Sequence, residues 1–584
     1  MRFSLKAQSQ ALREAVHACR RHLMAAALFS ALINLLYLAP TLYMLQVYDR
    51  VVPTRGHLTL VFLTLALLFA LGSLALIDLV RSRLLVRASL RLERRLAGEI
   101  LSAALSQPGQ GADALAKQAM REFDTMRQTL TGAGALALFD APWTPIYVLV
   151  CFLLHPLLGV LSVVSVALLL GLAVLGERAT NTRVERANAA GGAAYVSQEF
   201  AAAGAEVVRA LGMRRAMVRR HLAERETTQK LSAEASFAGG GYVAASRFAR
   251  LFLQSLALGV GAWLAIDQKI SAGAIFASSL LLARALAPME QVVGAWRGLA
   301  QARGAWRTLR ELLDAAAEPR PATRLPAPTG VLEVEQLTVL NAARDGAILH
   351  GVGFRAGAGE VIGVVGPSGA GKSTLLRAIA GAVRPDQGAI RFDGAEIGDY
   401  DAERLALCLG YMPQDASLFS GTVKENIARF RNHLDDHPER IDEQVIAAAR
   451  TAAAHEMILR LPQGYDTPLG IGGRGLSAGQ AQRIALARAL FGEPPVLLLD
   501  EPNAHLDSDG EGALAVTLSG LKGRGVTVLI VAHRTGVLMA ADKLMVLRAG
   551  RIEQFGAREE VMSRITGVRP LRPIAAVPAA MSIS

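Results

Sequence analysis

Long apolar runs dominate the first half of the chain, and polar or basic stretches separate them. Six of these runs reach the roughly 20 residues that a helix needs to cross a bilayer. They lie at about 23–47, 58–79, 131–154, 156–176, 248–267 and 270–290. Asp140, Pro142 and Pro145 interrupt the third run. The pattern predicts an α-helical domain with six membrane spans at 23–312, after a short N-terminal lead at 1–22.

The second half has a different pattern, in which short apolar segments of strand length alternate with helical segments. The clearest strand-like segments are VLEVEQLTVL, VIGVV, PVLLLD and VTVLIVA. Such alternation is typical of an α/β domain, which we predict at 331–565. The prolines within 313–330 predict a linker between the two halves. The Pro/Ala-rich residues 566–584 predict a flexible tail.

Composition and charge favour a membrane protein over a nucleic-acid-binding protein. The chain has 584 residues, of which 52% are hydrophobic, and a formal net charge of +12. Its basic residues lie between the apolar runs: residues 80–130 contain nine Lys or Arg and residues 177–247 contain eleven. The other loops between spans contain three in total. The positive-inside rule therefore places both long loops, the N-terminus and the C-terminal half in the cytoplasm.

The two long basic loops are rich in Ala, Leu, Arg and Glu, with few helix breakers, so we predict that they are helical. Helices that continue the spans could transmit force to a soluble domain. The alternative is that they are solvated loops that only fix the topology. Ionisable side chains near the spans leave a similar choice between lining a polar translocation path and being snorkelling or mutually paired residues. These side chains are Asp78, Asp140, Arg247, Arg250 and Arg284.

A phosphate-binding loop is predicted where the strand VIGVV is followed by G-x-x-x-x-G-K-[ST] and an apolar helix. In this context backbone N–H groups and a helix N-terminus face a triphosphate. Lys372 would supply a charge for the β- and γ-phosphates, and Ser373 a hydroxyl for Mg²⁺. The alternative is a glycine-rich turn that binds nothing. The loop consists of Gly366, Pro367, Ser368, Gly369, Ala370, Gly371, Lys372, Ser373 and Thr374.

Four further stretches have residues suited to the same chemistry. Asp500 and Glu501 end an apolar strand, where Asp500 can hold Mg²⁺ through water and Glu501 can polarise the attacking water. Gln414 follows a short strand, and His533 ends another, although a lone histidine there is usually structural. The small residues before the helix AQRIALARAL suit an anion, but their spacing alone does not establish this. They are Ser477, Ala478, Gly479 and Gln480.

Taken together, these stretches make residues 331–565 resemble the nucleotide-binding domain of an ATP-binding cassette protein. Gly366 to Thr374 is similar to the Walker A loop, and Val496 to Glu501 to Walker B with its catalytic glutamate. Leu476 to Gln480 resembles the signature LSGGQ, with Ala478 in place of the first glycine. Gln414 matches the Q-loop glutamine and His533 the switch histidine.

The resemblance implies a head-to-tail homodimer with two molecules of ATP at its interface. Ser477 and Gly479 of one chain, flanked by Ala478 and Gln480, would meet the γ-phosphate that Lys372 of the other holds. Mg²⁺ would be held by Ser373, Gln414 and Asp500. The catalytic set would be Glu501, His533, Lys372 and Gln414. Six spans before such a domain imply the architecture of a type I ABC exporter, a helical domain fused to an α/β P-loop domain.

Two motifs of the membrane half narrow the resemblance to type I secretion permease/ATPases. They are YMLQVYDRVVP at Tyr43 to Pro53 and FDAPWTP at Phe139 to Pro145. This branch implies ATP-driven export of proteases, lipases or RTX-repeat proteins from the bacterial inner membrane. Its partners would be a periplasmic membrane-fusion protein and an outer-membrane channel, with no nucleic acid. The alternatives are a lipid, peptide or small-molecule exporter of the same architecture, and a non-transporting, nucleotide-switched membrane regulator.

Three departures from the family pattern change what the resemblance implies. Leu337 to Leu340 contains no aromatic residue for stacking on adenine. Ala504 to Asp507 keeps the aspartate of the loop after Walker B but lacks its serine. Asp466 to Gly475 lacks the glutamate that often contacts the membrane helices, so Arg474 is one residue that could replace it. Lys372 and Glu501 are unaffected, which predicts an active ATPase.

Overall fold

A computed structural model describes residues 9–106, 112–316, 325–341, 344–434, 437–506, 508–532 and 534–566. The chain divides into two compact units, Met1–Glu318 and Pro319–Ser584. Every regular element described in the first unit is a helix, whereas the second combines helices with strands. Residues 567–584 of the predicted tail and residues 317–324 of the predicted linker lie outside the described residues.

The first unit is built from long helices joined by short turns. A π-helical turn at Val47–Val51 follows α2, and a 3-10 turn at Ala141–Trp143 separates α6 from α7. The helices are α1 (Ser9–Leu36), α2 (Ala39–Gln46), α3 (Val52–Thr54), α4 (His57–Leu105), α5 (Ala112–Thr131), α6 (Ala133–Asp140), α7 (Thr144–Leu154), α8 (Pro156–Ala203), α9 (Ala205–Ala210), α10 (Arg214–Ile266) and α11 (Ala272–Ala316).

Six helical segments of this unit are long and apolar enough to cross a membrane, which confirms the predicted number of spans. The predicted interruption of the third span is also present, because α6 ends at Asp140 and α7 begins at Thr144. The segments are Leu12–Thr54, His57–Leu105, Gly134–Leu154, Pro156–Glu199, Arg214–Ile266 and Ala272–Trp296.

The predicted basic loops are largely helical, as their composition indicates. The spans at 58–79 and 156–176 continue without a break into the rest of α4 and α8, and α10 reaches the fifth span from Arg214. α10 has 53 residues, which makes it roughly 80 Å long, against a hydrocarbon core of roughly 30 Å. These helices therefore extend well beyond any bilayer, as the prediction of helical loops requires; whether they transmit force or only fix the topology stays a prediction.

The extensions have a hydrophobic core of their own. Leu96 and Ile100 of α4 pack with Phe123 of α5, and all three side chains are fully buried. Leu12 of α1 and Leu309 of α11 belong to the same cluster. The N-terminal lead is thus helical from Ser9 and contributes apolar side chains to this bundle.

A buried polar network joins the first three spans around Asp140. Arg81 of α4 is 5% exposed; its guanidinium donates to Asp140 at 2.9 Å and to Asp78 at 2.7 Å. Asn34 of α1 donates to Asp140 at 3.0 Å, and Ser30 donates to the same carboxylate. A charged pair removed from water needs such additional hydrogen bonds, and this network supplies them.

Two more charged side chains near the spans have partners. Arg250 pairs with Glu290 at 2.6 Å, and the guanidinium of Arg284 lies 3.9 Å from the centre of the Tyr37 ring. With the network around Asp140, four of the five ionisable residues considered from the sequence are paired or stacked. For those four the structure favours the paired interpretation over a free polar path.

The motif YMLQVYDRVVP forms a second inter-span connection through Asp49. Its carboxylate accepts hydrogen bonds from the backbone N–H of Gly273, at 2.7 Å, and from the hydroxyl of Ser271, at 2.5 Å. A side chain at Gly273 would place its Cβ 2.7 Å from the carbonyl oxygen of Leu45, so the close approach needs glycine. π-helical turns are concentrated at functional positions, and this one ties α2 to the start of α11.

The second unit contains the predicted α/β domain. Its strands are β1 (Leu332–Leu340), β2 (Ala347–Ala356), β3 (Val361–Val365), β4 (Gln387–Phe392), β5 (Ala395–Glu396), β6 (Leu409–Met412), β7 (Gly421–Thr422), β8 (Pro468–Leu469), β9 (Val496–Asp500), β10 (Thr527–Val531), β11 (Lys543–Arg548) and β12 (Arg551–Ala557). Its helices are α12 (Lys372–Ile379), α13 (Ala402–Leu407), α14 (Val423–Ile427), α15 (Pro438–Thr451), α16 (His455–Leu459), α17 (Ala478–Leu490), α18 (Ser508–Gly523), α19 (Thr535–Leu538) and α20 (Arg558–Thr566).

The main sheet has the strand order β12-β11-β3-β10-β9-β6, beside a four-stranded antiparallel sheet β2-β1-β4-β5. In the main sheet only β12 is antiparallel to its neighbour. β9 and β10 are fully buried, in agreement with their continuous apolar sequences. Parallel strands end at the same edge of a sheet, and ligands bind at that edge. The segments after β3, β6, β9 and β10 therefore meet there.

Candidate active site

The phosphate loop joins β3 to α12, as predicted. Gly366 has φ +155°, and a Cβ there would lie 2.1 Å from the carbonyl oxygen of Leu547. Gly371, with φ +99°, immediately precedes the first turn of α12, which begins at Lys372. The Lys372 ammonium donates to the carbonyl oxygens of Gly366 at 2.8 Å and Pro367 at 3.0 Å. The loop thus folds around the amine and directs it toward its own centre.

Asp500 ends β9 beside this loop. It is 1% exposed, and neither carboxylate oxygen has a hydrogen-bond partner of normal geometry among the described residues. Burial raises the pKa of Asp500, and the neighbouring Glu501 adds to that effect, while the Ser373 hydroxyl and the charge of Lys372 oppose it. A buried carboxylate whose oxygens have no hydrogen bond of normal geometry, next to the Ser373 hydroxyl, is a donor set that suits Mg²⁺. The residues present therefore fit the ion implied by the sequence.

Glu501 and Gln414 are brought together although they are 87 residues apart. The Gln414 amide, in the segment after β6, donates to the Glu501 carboxylate at 3.2 Å. Glu501 has φ +49°, a left-handed conformation that is unfavourable for a residue with a side chain. Its N–H donates to the carbonyl oxygen of Val531 in β10 at 3.0 Å. The strained turn projects the carboxylate from the edge of the sheet toward Gln414.

The signature residues form the N-terminus of α17. The Ser477 hydroxyl accepts from Gln480 N–H, and the Gln480 side chain accepts from Ser477 N–H at 2.9 Å, which is a capping box. Ser477 and Ala478 are exposed. A Cβ at Gly479 would lie 2.9 Å from the carbonyl oxygen of His505. Gln480 thus orders its own helix, while glycine lets α17 approach the segment after Walker B.

Gln482 is a residue of this site that our sequence reasoning missed. Its side chain is 2% exposed and donates to the carbonyl oxygen of Glu501 at 3.0 Å. The same amide accepts the N–H of His505 at 2.9 Å. Gln482 therefore fixes the backbone at both ends of the turn that follows β9. It could have been found as the polar member of an otherwise apolar i, i+3, i+4, i+7 stripe with Ala485, Leu486 and Ala489.

The opposite end of α17 holds the segment that contains Gln414. The Arg488 guanidinium donates to the carbonyl oxygens of Ala416 at 2.8 Å and Ser417 at 3.0 Å. Arg429 in turn donates to the carbonyl oxygens of Arg488 and Ala489. Burial lowers the pKa of Arg429 to about 10, and nearby Arg488 and Arg431 contribute; it remains a cation at neutral pH. One helix thus connects the signature, Walker B and the Q-loop.

The remaining predicted positions are His533, Asp507, the segment Leu337 to Leu340, and Arg474. His533 and Asp507 lie outside the described residues. Leu337 and Val339 of β1 are buried in the core, at 0% and 3% exposure. These two side chains are therefore unavailable to an adenine ring, in agreement with the missing aromatic residue. Arg474 is exposed in the turn before the signature, where its carbonyl oxygen accepts from Gly470 N–H.

Comparison with known proteins gives matches over both halves of the chain. The ABC transporter family matches residues 349–504, and the ABC transporter transmembrane region matches residues 23–289. The type I secretion system ATP-binding protein PrsD of Rhizobium meliloti (strain 1021) is 41% identical over 94% of each chain. The cyclolysin secretion/processing ATP-binding protein CyaB of Bordetella pertussis (strain Tohama I) is 30% identical over 93% of this chain and 76% of CyaB.

The architecture is also that of a solved structure. A bacterial Atm1-family ABC exporter with ATP bound is similar to this chain with a TM-score of 0.82 and 25% sequence identity. The similarity covers 94% of this chain and 96% of the exporter chain. It extends over both units, which confirms the predicted fold class of a helical membrane domain joined to an α/β P-loop domain.

Proposed function

Because the chain belongs to the ABC transporter family, among the type I secretion ATP-binding proteins, we propose that it exports unfolded polypeptides at the expense of ATP. The observation that supports this most directly is the 41% identity with PrsD over 94% of both chains. The substrates in this proposal are proteases, lipases or RTX-like proteins. The partners are a periplasmic membrane-fusion protein and an outer-membrane channel.

Membership in the family establishes the general activity of the chain and its insertion in a membrane. The resemblance found in the motifs is confirmed. The chain is a multi-pass membrane protein, and its nucleotide-binding domain is an ATPase coupled to transport, with ATP and Mg²⁺ as the usual ligands. The finer assignments, which concern location, orientation, oligomeric state and individual residues, are part of the proposal.

The proposed location is the bacterial inner membrane, with the N-terminus and the nucleotide-binding domain in the cytoplasm. The excess of basic residues at 80–130 and 177–247 supports this orientation. Both stretches belong largely to the helical extensions of the spans. The short turns at 49–57, at 155–156 and at 266–270 would then face the periplasm and the fusion protein.

Each ATP site in the proposal is shared by two copies of the chain. The phosphate loop of one copy, from Gly366 to Thr374, holds the triphosphate. The exposed Ser477 and Ala478, with Gly479 and Gln480, close the site from the other copy. Mg²⁺, held by Ser373, Gln414 and the buried Asp500, supplies charge neutralisation at the phosphates when it is bound.

Within that site each catalytic side chain has one task. Lys372 balances charge on the β- and γ-phosphates, because the loop keeps its amine at the centre of the site. Glu501 accepts the hydrogen bond of the attacking water, and its strained backbone and the contact with Gln414 orient its carboxylate. His533 positions the γ-phosphate. A positioned general base contributes about 10²–10⁴ in rate.

Two substitutions test this function in cells. Lys372→Ala should remove one or more polypeptides from the culture medium, whereas a Lys269→Ala control at an exposed turn should not. Glu501→Gln should still bind ATP but hydrolyse it at least 100-fold more slowly. Full secretion by Lys372→Ala would contradict ATP-driven export.

The same measurements distinguish the two alternatives. If Lys372→Ala cells lose export of a lipid or small molecule while polypeptide secretion is unaffected, a lipid or small-molecule exporter is favoured. If the wild-type chain hydrolyses ATP too slowly for transport, a nucleotide-switched membrane regulator is favoured.

A further inference from the structure

The nucleotide-binding unit contains a cavity of about 170 Å³ between the end of α13, the first turn of α15 and the turn that follows α17. Part of its wall is apolar, and the rest is strongly basic. The apolar side chains are Leu407, Ile441 and Phe491, and the basic ones are Arg429, Arg431 and Arg440. None of the six belongs to the nucleotide-binding motifs, and the proposed function gives the cavity no role.

Arg429 is fixed in the wall by backbone acceptors alone. Its guanidinium donates to the carbonyl oxygens of Ala406 at 2.8 Å, Leu409 at 3.1 Å and Ala489 at 2.9 Å. Its Nε donates to the carbonyl oxygen of Arg488 at 3.0 Å. A guanidinium has five N–H groups, so one on Nη2 is left without an acceptor among the described residues. All four acceptors are neutral, and no described carboxylate balances the charge.

The other two arginines of the wall are not balanced either. The side chains of Arg431 and Arg440 form no hydrogen bond and no ion pair with any described residue. Asp442 on the same helix as Arg440 pairs with Lys424 instead. Three cations therefore face one small space, and the described part of its wall contains no carboxylate. Like charges at close range repel unless an anion lies between them.

The chemistry of the wall favours a phosphate group over a carboxylate. A guanidinium is a planar fork that matches the oxygens of phosphate, and charged hydrogen bonds of this kind are strong. A phosphate can balance two positive charges, whereas a carboxylate balances one. The cavity is smaller than the roughly 300–1,000 Å³ of pockets for drug-sized molecules. It therefore suits inorganic phosphate or a small phosphate ester whose organic part contacts Phe491.

We propose that this cavity binds the phosphate group of a small soluble compound. Arg431 and Arg440 contact its oxygens, and Arg429 supplies the third cation beside them. The bound anion would connect the segment after α14 to α15 and, through Arg429, to α13 and α17, so that binding stabilises the domain. Inorganic phosphate, which ATP hydrolysis releases, is the simplest such compound. The inference goes beyond the proposed function and does not depend on the nature of the exported molecule.

The test measures the binding of radiolabelled inorganic phosphate to the purified full-length chain by equilibrium dialysis. All proteins carry Lys372→Ala, so that the phosphate loop contributes little to the signal. Arg431→Gln and Arg440→Gln should each raise the dissociation constant about tenfold or more, because each removes a charged hydrogen-bond donor. Arg450→Gln is the control, since Arg450 is exposed on α15 outside the cavity and its replacement removes the same charge. Equal binding by all three variants, or no binding by their parent, would overturn the assignment.

The class of ligand and the effect of binding need separate measurements. Phosphate should bind about tenfold more tightly than acetate at equal ionic strength, and equal affinities would contradict a phosphate site. A ligand that binds only the native state raises stability. Phosphate should therefore raise the thermal unfolding midpoint of the Arg450→Gln protein more than that of the Arg431→Gln protein. The same rise in both would mean that phosphate acts elsewhere, and the proposal would be wrong.

Two aspartates of this chain are the alternative source of negative charge for the cavity. Asp435 and Asp436 lie between Arg431 and Arg440 in the sequence and outside the described residues. The double variant Asp435→Asn with Asp436→Asn should bind phosphate as its parent does. Binding that appears only in the double variant would show that the chain balances its own arginines, which would overturn the proposal.

Discussion

Replacing Gln482 by methionine tests whether α17 controls the geometry of the catalytic turn. The substitution keeps the length of the side chain and removes two hydrogen bonds, to the carbonyl oxygen of Glu501 at 3.0 Å and from the N–H of His505 at 2.9 Å. A buried backbone group left without a partner costs about 1–3 kcal/mol. The total perturbation is therefore about 2–6 kcal/mol, divided between folding stability and catalysis.

The expected kinetic change follows from where those bonds lie. Both connect to residues 501–505, and Gln482 has no described hydrogen bond to the phosphate loop. If about 2 kcal/mol of the perturbation is felt in the transition state, kcat falls about 30-fold. The KM for ATP should change less than threefold, because the residues around the triphosphate keep their contacts.

The assay is steady-state ATP hydrolysis by the purified full-length chain, with the thermal unfolding midpoint measured alongside. Gln444→Met serves as the control, because Gln444 is half-buried on α15 and makes none of these contacts. Gln482→Glu separates the two bonds: it still accepts from His505 N–H but cannot donate to Glu501. It should lose as much kcat as Gln482→Met. A kcat within twofold of wild type in both variants, or a loss confined to KM, would refute this reasoning.

Three further predictions concern the packing around the site and the spans. Arg81→Met should destabilise the membrane unit by about 3–5 kcal/mol in detergent unfolding, because it leaves Asp140 buried without its counterion; adding Asp140→Leu should recover most of that loss. Gly366→Ala should abolish measurable ATP binding, since its Cβ would lie 2.1 Å from a carbonyl oxygen, whereas Gly398→Ala, in open space, should bind normally. Burial would raise the pKa of Asp542, but hydrogen bonds from Lys522 and the Val361 N–H outweigh it and lower the pKa below the ordinary value. The ionised carboxylate therefore stabilises the fold above about pH 4, and this stabilisation is lost below that pH. In denaturant titrations, the difference in stability between wild type and Asp542→Asn should become smaller below about pH 4.

Most of this architecture can be predicted from the sequence, because buried positions give apolar runs and periodic apolar patterns along the chain. The apolar runs predict six spans, and the segments VLLLD and TVLIV correspond to two fully buried central strands. The phosphate loop is local, so its glycines and Lys372 could be identified from nine consecutive residues. Asp500 and Glu501 were identified in the same way, from the apolar strand before them.

What the sequence did not reveal are partners that are distant along the chain. Asp140 lies 59 residues from Arg81, and no periodicity indicates which cation will meet it. Gln482 lies inside a helix whose other features concern the signature, and its two bonds depend on how α17 packs against β9. Such contacts depend on tertiary packing, and composition and spacing determine only that a partner is needed.

The network around Asp140 also constrains how the chain is made. An aspartate at the centre of a membrane helix costs about 2.5–3.5 kcal/mol during insertion. Arg81, at the end of the second span, has left the ribosome before Asp140 is synthesised, and so have Ser30 and Asn34 of the first. Docking on the two spans that precede it therefore stabilises the third span in lipid. Any change that delays this docking should send nascent chains to membrane proteases before an ATP site has formed.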